Sequence, residues 1–205
     1  MPGTLVFDVE TTGLPVRESM YRRFPDPKNY TAYNHARVVE LAYKIFDENQ
    51  MLVKAVSVLV KPEHFVIENS DIHGISHTTA DRYGTRIEFV IANFLIDVEQ
   101  CDTIVSHNME FDLNIILAEI WRLVMSDSPD RRVSFNYLDV QTLANAKQIC
   151  TMKTAQKQLN LTKYPKLVDL YHTLCASERG KWKQTHRALD DVDKCAQCHF
   201  KLRAP

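Results

Sequence analysis

The chain lacks any apolar run approaching the ~20 residues that a membrane-spanning helix needs. Its start also lacks a basic stretch followed by an apolar segment and a cleavage site. The expectation is a soluble, intracellular protein with no membrane partner. Excess charge of one sign is missing too: 25 Lys and Arg stand against 26 Asp and Glu, a net charge of −1. That balance argues against a protein that coats nucleic acid through bulk electrostatics. Internal repeats and low-complexity tracts are absent. A disulfide framework is not indicated either, because Cys101, Cys150, Cys175, Cys195 and Cys198 form an odd and scattered set that fits reduced thiols better.

What is present suits one compact domain over residues 1–205, with 45% hydrophobic content and ample length for a core. Residues 4–9 alternate as a buried strand does. Residues 15–34, rich in Arg, Pro and Tyr, read as a long irregular excursion whose Arg17, Tyr21, Arg22, Arg23 and Tyr30 could touch nucleic acid or simply face solvent. Two apolar runs, 38–46 and 52–60, complete an antiparallel meander. A short helix over 70–76 is stopped by Gly74, residues 78–81 form a cap, and a longer helix carries Ile87, Val90, Ile91, Phe94, Leu95 and Val98 on one face. A strand over 103–106 feeds a helix that continues through Leu123. Residues 126–136 read as a turn-rich loop, 137–140 as a strand leading into a helix through Lys147, and Pro165 opens another helix. Residues 178–184 form a polar loop, and a last helix runs over 185–200 with Thr185 as its cap.

Chemistry concentrates in a few places. Asp8 and Glu10, two apart on a strand, project from one face. Like charges that close raise each other's pKa and destabilise the fold unless a cation sits between them or one keeps its proton. Hard divalent ions prefer such oxygen ligands. Gly13 permits a sharp turn beside the pair, and the N–H groups of Thr11 and Thr12 could approach a phosphate. Asp112 falls in the first turn of a helix, where the dipole favours a carboxylate, so capping alone would also explain it. Asp191 lies three residues after Ala188 and shares the inward side of the last helix. Asp190 and Asp193 read as outer or solvent-facing neighbours. Cys195, Cys198 and His199 are either metal ligands or, more simply, a reduced core pair, since no second ligand pair stands out. Between Lys147 and Arg187 nine basic residues face two acidic ones, a local basic flank in a balanced chain.

Together, Phe7-Asp8-Val9-Glu10-Thr11-Thr12-Gly13-Leu14, Ser106-His107-Asn108-Met109-Glu110-Phe111-Asp112 and His186-Arg187-Ala188-Leu189-Asp190-Asp191 resemble the three motifs of the DEDDh, or DnaQ-like, 3′→5′ exonucleases, nearest to their proofreading, epsilon-type branch. The resemblance spans nearly the whole chain. It implies an α/β, ribonuclease H-like fold with a mixed five-stranded sheet flanked by helices. By the same resemblance Asp8, Glu10, Asp112 and Asp191 bind two Mg²⁺ ions, with Mn²⁺ as substitute, and His186 is the general base. Thr11, Thr12, Gly13 and Leu14 hold and wedge the terminal nucleotide, and His107, Asn108 and Phe111 line the substrate site. The segment Ile72-His73-Gly74-Ile75-Ser76, with His73, packs near that nucleotide. The implied partner is single-stranded or 3′-ended nucleic acid, DNA favoured, with a polymerase or other replication or repair protein as a second partner. An RNA-trimming exoribonuclease and a catalytically silent binding domain are the alternatives.

Overall fold

In the computed structural model, residues 3–16, 24–126, 130–175 and 182–203 are described. Five strands, β1 (Thr4–Thr11), β2 (Val38–Phe46), β3 (Leu52–Leu59), β4 (Thr103–Ser106) and β5 (Lys147–Cys150), form one sheet in the order β3-β2-β1-β4-β5. β2 pairs antiparallel with β1 and β3, whereas β1–β4 and β4–β5 are parallel, so the sheet is mixed and β1 is its centre.

Alternation along β1 assigns its two faces. Leu5, Phe7 and Val9 enter one core with α3 (Ile87–Glu99) and α4 (Met109–Met125), where Phe7 meets Phe94 at 5.4 Å between ring centroids. Val6 enters the other core, with Leu170 of α7 (Leu167–Leu174) and Val192, Cys195 and Cys198 of α8 (Ala188–Arg203). Strand side chains repeat every two residues, so Asp8 and Glu10 fall on the Val6 face, toward α8. Burying side chains of this size contributes roughly 1.5–3 kcal/mol each, and the two cores fix β1 from both sides.

Two local features shape the carboxyl end of β1. The pairing with β4 covers only Thr4–Val6, so β1 runs on without a parallel neighbour. The ladder with β2 slips after Glu10: Glu10 faces Glu40, but Thr11 faces Val38, leaving Val39 as the extra residue of a bulge.

The helices include α1 (Ser70–His73), closed by Gly74 in the left-handed region at φ 72° as its position predicts. Residues 78–81 are not a cap but the body of α2 (His77–Tyr83), whose N-cap is Ser76, accepting from the Thr79 N–H at 3.1 Å. The excursion over 15–34 contains a 3₁₀ turn, Tyr30–Tyr33. Arg17, Tyr21, Arg22 and Arg23 lie outside the described residues.

The expected strand over 137–140 is instead the start of α5 (Tyr137–Asn145), and the strand is β5, ten residues later. The reason is a reciprocal cap: the Asn136 side chain accepts from the Leu138 N–H at 2.7 Å and the Asp139 carboxylate accepts from the Asn136 N–H at 2.7 Å. α6 (Thr151–Gln158) follows β5. α8 begins at Ala188 and not at Thr185, because His186 holds φ at 51°. Cys195, Cys198 and His199 are buried on α8, and the cysteines are free thiols in the core.

Candidate active site

The site forms where β1, α4 and α8 meet. Asp8 and Glu10 come from β1. Asp112 comes from the first turn of α4, where its carboxylate accepts the Ser106 hydroxyl at 2.7 Å and the Val9 N–H. Asp191 comes from the first turn of α8. The two aspartates thus occupy the positive ends of two long helices.

A cleft of about 200 Å³ is lined by Asp8, Glu10, Asp112, Asp191 and His186, and beside them by His107, Asn108 and Phe111. Glu10, His186 and Asp191 each offer a ligand atom within 4.8 Å of the others, an arrangement that could hold a metal ion. His186 is exposed, at the mouth of the cleft.

Electrostatics single out this cluster. Burial, reinforced by Asp112, Asp191, Glu10 and Glu40, holds the Asp8 carboxyl well above the usual carboxylate range. Burial and then the charges of Asp191, Glu40 and Asp112 push Glu10 up to about 8, with Arg187 opposing. Asp112 is pushed to about 7, chiefly by burial and against hydrogen bonds from Ser106, the Val9 N–H and its own N–H. Asp191 reaches about 6, again by burial, with the Gln184 amide opposing. Four neighbouring acids that cannot all ionise comfortably must keep protons or share a cation, so the cluster could hold a metal ion.

The donor set fits divalent metal. Asp191 Oδ2 accepts from Gln184 Nε2 at 2.5 Å, but Asp191 Oδ1 is buried with no hydrogen-bond partner. A buried charged oxygen is costly to leave unpaired. All four carboxylates are hard oxygen donors, the kind Mg²⁺ and Mn²⁺ take.

Other expected residues take different places. His107 lines the cleft, but both ring nitrogens are engaged: Thr151 Oγ1 donates to Nδ1 at 2.9 Å and Nε2 donates to the Pro165 carbonyl at 3.0 Å. Burial pushes its pKa down to about 4, so the ring is a neutral bracket between β4 and the segment before α7. His73 is 1% exposed, takes the Ile75 N–H at 3.1 Å, and donates to the Asn69 side chain at 3.3 Å. Asn69 in turn donates to the Thr11 carbonyl at 2.9 Å, so His73 supports the end of β1 through Asn69.

Thr11, Thr12, Gly13 and Leu14 do not line the cleft itself. The Thr12 N–H is not free, because it donates to the Arg37 carbonyl at 2.9 Å, and its hydroxyl donates to the His35 carbonyl at 3.1 Å. Gly13 is required by contact: a Cβ there would stand 2.8 Å from the His35 carbonyl oxygen. Leu14 projects, 65% exposed.

Sequence reasoning missed three participants. Gln184 and Leu167 line the cleft. Glu40, fully buried on β2 and opposite Glu10, accepts from Arg187, Ala188 and Ser57. No spacing signal marks any of them. Asp190 accepts from Trp182 and Thr185, and Asp193 pairs with Lys44, so neither is idle.

Among the described residues no helix is long and apolar enough to cross a membrane. No curated protein sequence matches the chain at a significant level. Solved structures do. Exonuclease I of E. coli in complex with a dA16 oligonucleotide superimposes with a TM-score of 0.63 at 15% identity, covering 98% of this chain and 40% of that one. Exonuclease I from Methylocaldum szegediense gives 0.62 at 16%, with 98% and 40% coverage. Cell-death related nuclease 4 (CRN-4) gives 0.56 at 14%, with 96% and 62% coverage. The chain spans about 40% of the length of the exonuclease I chains it matches, and the likeness shows a shared, ribonuclease H-like fold. The family model RNase_T, described as Exonuclease, matches residues 5–198. The chain therefore belongs to the RNase_T exonuclease family.

Proposed function

We propose that the chain, as a single exonuclease domain, is a metal-dependent 3′→5′ exonuclease that hydrolyses the terminal phosphodiester bond of nucleic acid, DNA favoured, and releases 5′-mononucleotides. The observation that carries this reading is the convergence of Asp8, Glu10, Asp112, Asp191 and His186 on one cleft, with every carboxyl raised and one Asp191 oxygen unpartnered. When bound there, two Mg²⁺ ions, or Mn²⁺ in their place, supply an activated water and charge stabilisation for the leaving 3′ oxygen.

The residues divide the remaining work. Asp8, Glu10, Asp112 and Asp191 hold the ions, four negative charges against two divalent cations. His186, at the cleft mouth and within 4.8 Å of Glu10 and Asp191, takes the proton of the attacking water; imidazole is suited to that transfer near neutral pH. Phe111 offers an aromatic face on the cleft wall, and Asn108 a polar edge. The exposed Leu14 and the Thr11–Gly13 segment receive the terminal nucleotide.

The basic flank supports a polyanion. Lys163 and Lys166 are exposed on either side of Pro165, whose carbonyl His107 holds at the cleft. The DNA oligonucleotide bound by the similar exonuclease I favours DNA over RNA here. The resemblance to the proofreading branch adds a polymerase or other replication or repair protein as a second partner.

The test uses DNA and RNA oligonucleotides of one sequence, labelled at either end, with Mg²⁺, Mn²⁺ or chelator. The expected result is stepwise shortening of the 5′-labelled DNA, immediate release of a labelled mononucleotide from the 3′-labelled DNA, slower loss of RNA, and no cleavage with chelator. Degradation from the 5′ end, or cleavage indifferent to chelator, would refute the proposal.

A further inference from the structure

His186 carries a left-handed backbone, φ 51°, that residues other than glycine adopt only when their surroundings hold them there. The surroundings are specific. On the C-terminal side, Arg187 donates Nε to Glu40 Oε2 at 3.1 Å and Nη2 to Glu40 Oε1 at 2.9 Å. The Ala188 N–H adds a third bond to Glu40 Oε2 at 3.1 Å, and the Ser57 hydroxyl a fourth to Oε1 at 2.8 Å.

On the N-terminal side, Asp190 Oδ2 accepts from Trp182 Nε1 at 2.7 Å and from the Thr185 hydroxyl at 3.1 Å. Trp182 is itself pinned: its carbonyl accepts from His172 Nε2 at 2.9 Å, its ring meets Tyr171 at 5.4 Å, and the Lys194 ammonium lies 5.7 Å from its centroid. Neither Glu40 nor Asp190 lines the cleft. Both Glu40 oxygens are already shared among four donors, and these bonds hold its pKa below the ordinary value despite burial, so it is not placed to bind metal or substrate.

We propose that Glu40 and the Trp182–Asp190 pair are positioning residues for the reaction. They clamp the chain on the two sides of His186 and set the reach of its imidazole toward Glu10 and Asp191. The inference rests on the reading of His186 as the proton acceptor. A reacting group displaced by about 1 Å can lose on the order of 10²-fold in rate, so a clamp outside the site acts on turnover and leaves substrate affinity nearly alone.

The test is a double-mutant cycle on the full chain. Glu40→Gln keeps the shape of the side chain but cannot accept from all four donors. It is expected to lower kcat by about 10–100-fold with KM changed less than about threefold. Trp182→Phe keeps an aromatic ring but loses the Nε1 donor, and a loss of about threefold to tenfold is expected; it carries the test if the first variant does not fold. In a His186→Ala background each change should cost less than about twofold, since the group it positions is gone. In Trp182→Phe, which removes no charge, Mn²⁺ affinity measured by calorimetry should stay within about threefold of the parent.

Equal losses with and without His186 would overturn the proposal, as would a fall in Mn²⁺ affinity that tracks kcat, because the clamp would then act through Asp191 or the fold. A His186→Ala variant with full turnover would instead remove the functional reading beneath it.

Discussion

Two sets of buried or half-buried carboxylates coexist in this molecule, and they are provisioned in opposite ways. Glu119, 3% exposed at its side chain, receives Arg37 through Nε at 2.6 Å and Nη2 at 3.1 Å, with Arg122 Nε at 3.4 Å. Asp97 receives Lys54 at 2.6 Å and the Tyr43 hydroxyl at 2.6 Å. Asp8, Glu10, Asp112 and Asp191 have no hydrogen-bonded basic side chain among the described residues. In the first set the cation is encoded in the chain and the structure is complete. In the second no such cation is supplied by the described residues, and on the proposed function that leaves a place for a metal. On the proposed function, the difference separates a carboxylate that holds the fold from one that works.

Substitutions should break the comparison cleanly. Asp191→Asn or Asp8→Asn is expected to lower turnover by orders of magnitude, because a proposed metal ligand is lost, while raising the melting temperature of the metal-free protein at pH 8. Oligonucleotide hydrolysis and thermal melts in chelator measure the two effects; a variant that lost stability there would show that the carboxylate belongs with the structural set.

Glu119→Ala should do the reverse. Breaking a buried pair strands Arg37 and Arg122 and costs about 3–5 kcal/mol, to be read by denaturant unfolding, with cleavage per folded molecule unchanged. Loss of activity without loss of stability would contradict the assignment.

The smallest effect is the pH dependence of the metal-free protein. The site carboxyls titrate higher folded than unfolded, so the folded state binds more protons between about pH 4 and pH 8. Stability contributed by that protonation is present at the acid end and is lost as pH rises through the window. Melting temperatures in chelator should therefore fall from pH 5 to pH 8, at roughly 2–4 °C per kcal/mol in a chain of this size. Mn²⁺ should restore more at pH 8 than at pH 5. A flat profile in chelator would mean that the four acids are better solvated than their burial implies.

Much of the site was legible in the sequence because its residues sit in short motifs with strong local context. Asp8 and Glu10 share a strand face by period alone, and Asp112 and Asp191 fall in helix first turns that apolar spacing locates. Glu40 was not legible: within Val38–Phe46 it reads as one polar position of a strand, and its partner Arg187 is 147 residues away. Gln184 and Trp182 lie in a stretch without periodicity, where only folding decides the contacts.

The misplaced strand has a similar origin. Tyr137-Leu138-Asp139-Val140 is a short apolar run that either period can claim, yet Tyr137 and Leu138 are 58% and 67% exposed, and the Asn136/Asp139 cap settles the segment as helix. Lys147–Cys150 pairs with β4 along its whole length although its own side chains carry little apolar pattern.

The extra residue at Val39 has an evolutionary corollary. Below the bulge, Asp8 and Glu10 are locked in step with Ala42 and Glu40; above it, the hook from Thr11 to Leu14 hangs on different partners, among them Arg37, His35 and Asn69. On the proposed function the hook is thereby decoupled from the metal ligands, and selection can retune which polymer end is admitted without retuning the hydrolytic machinery.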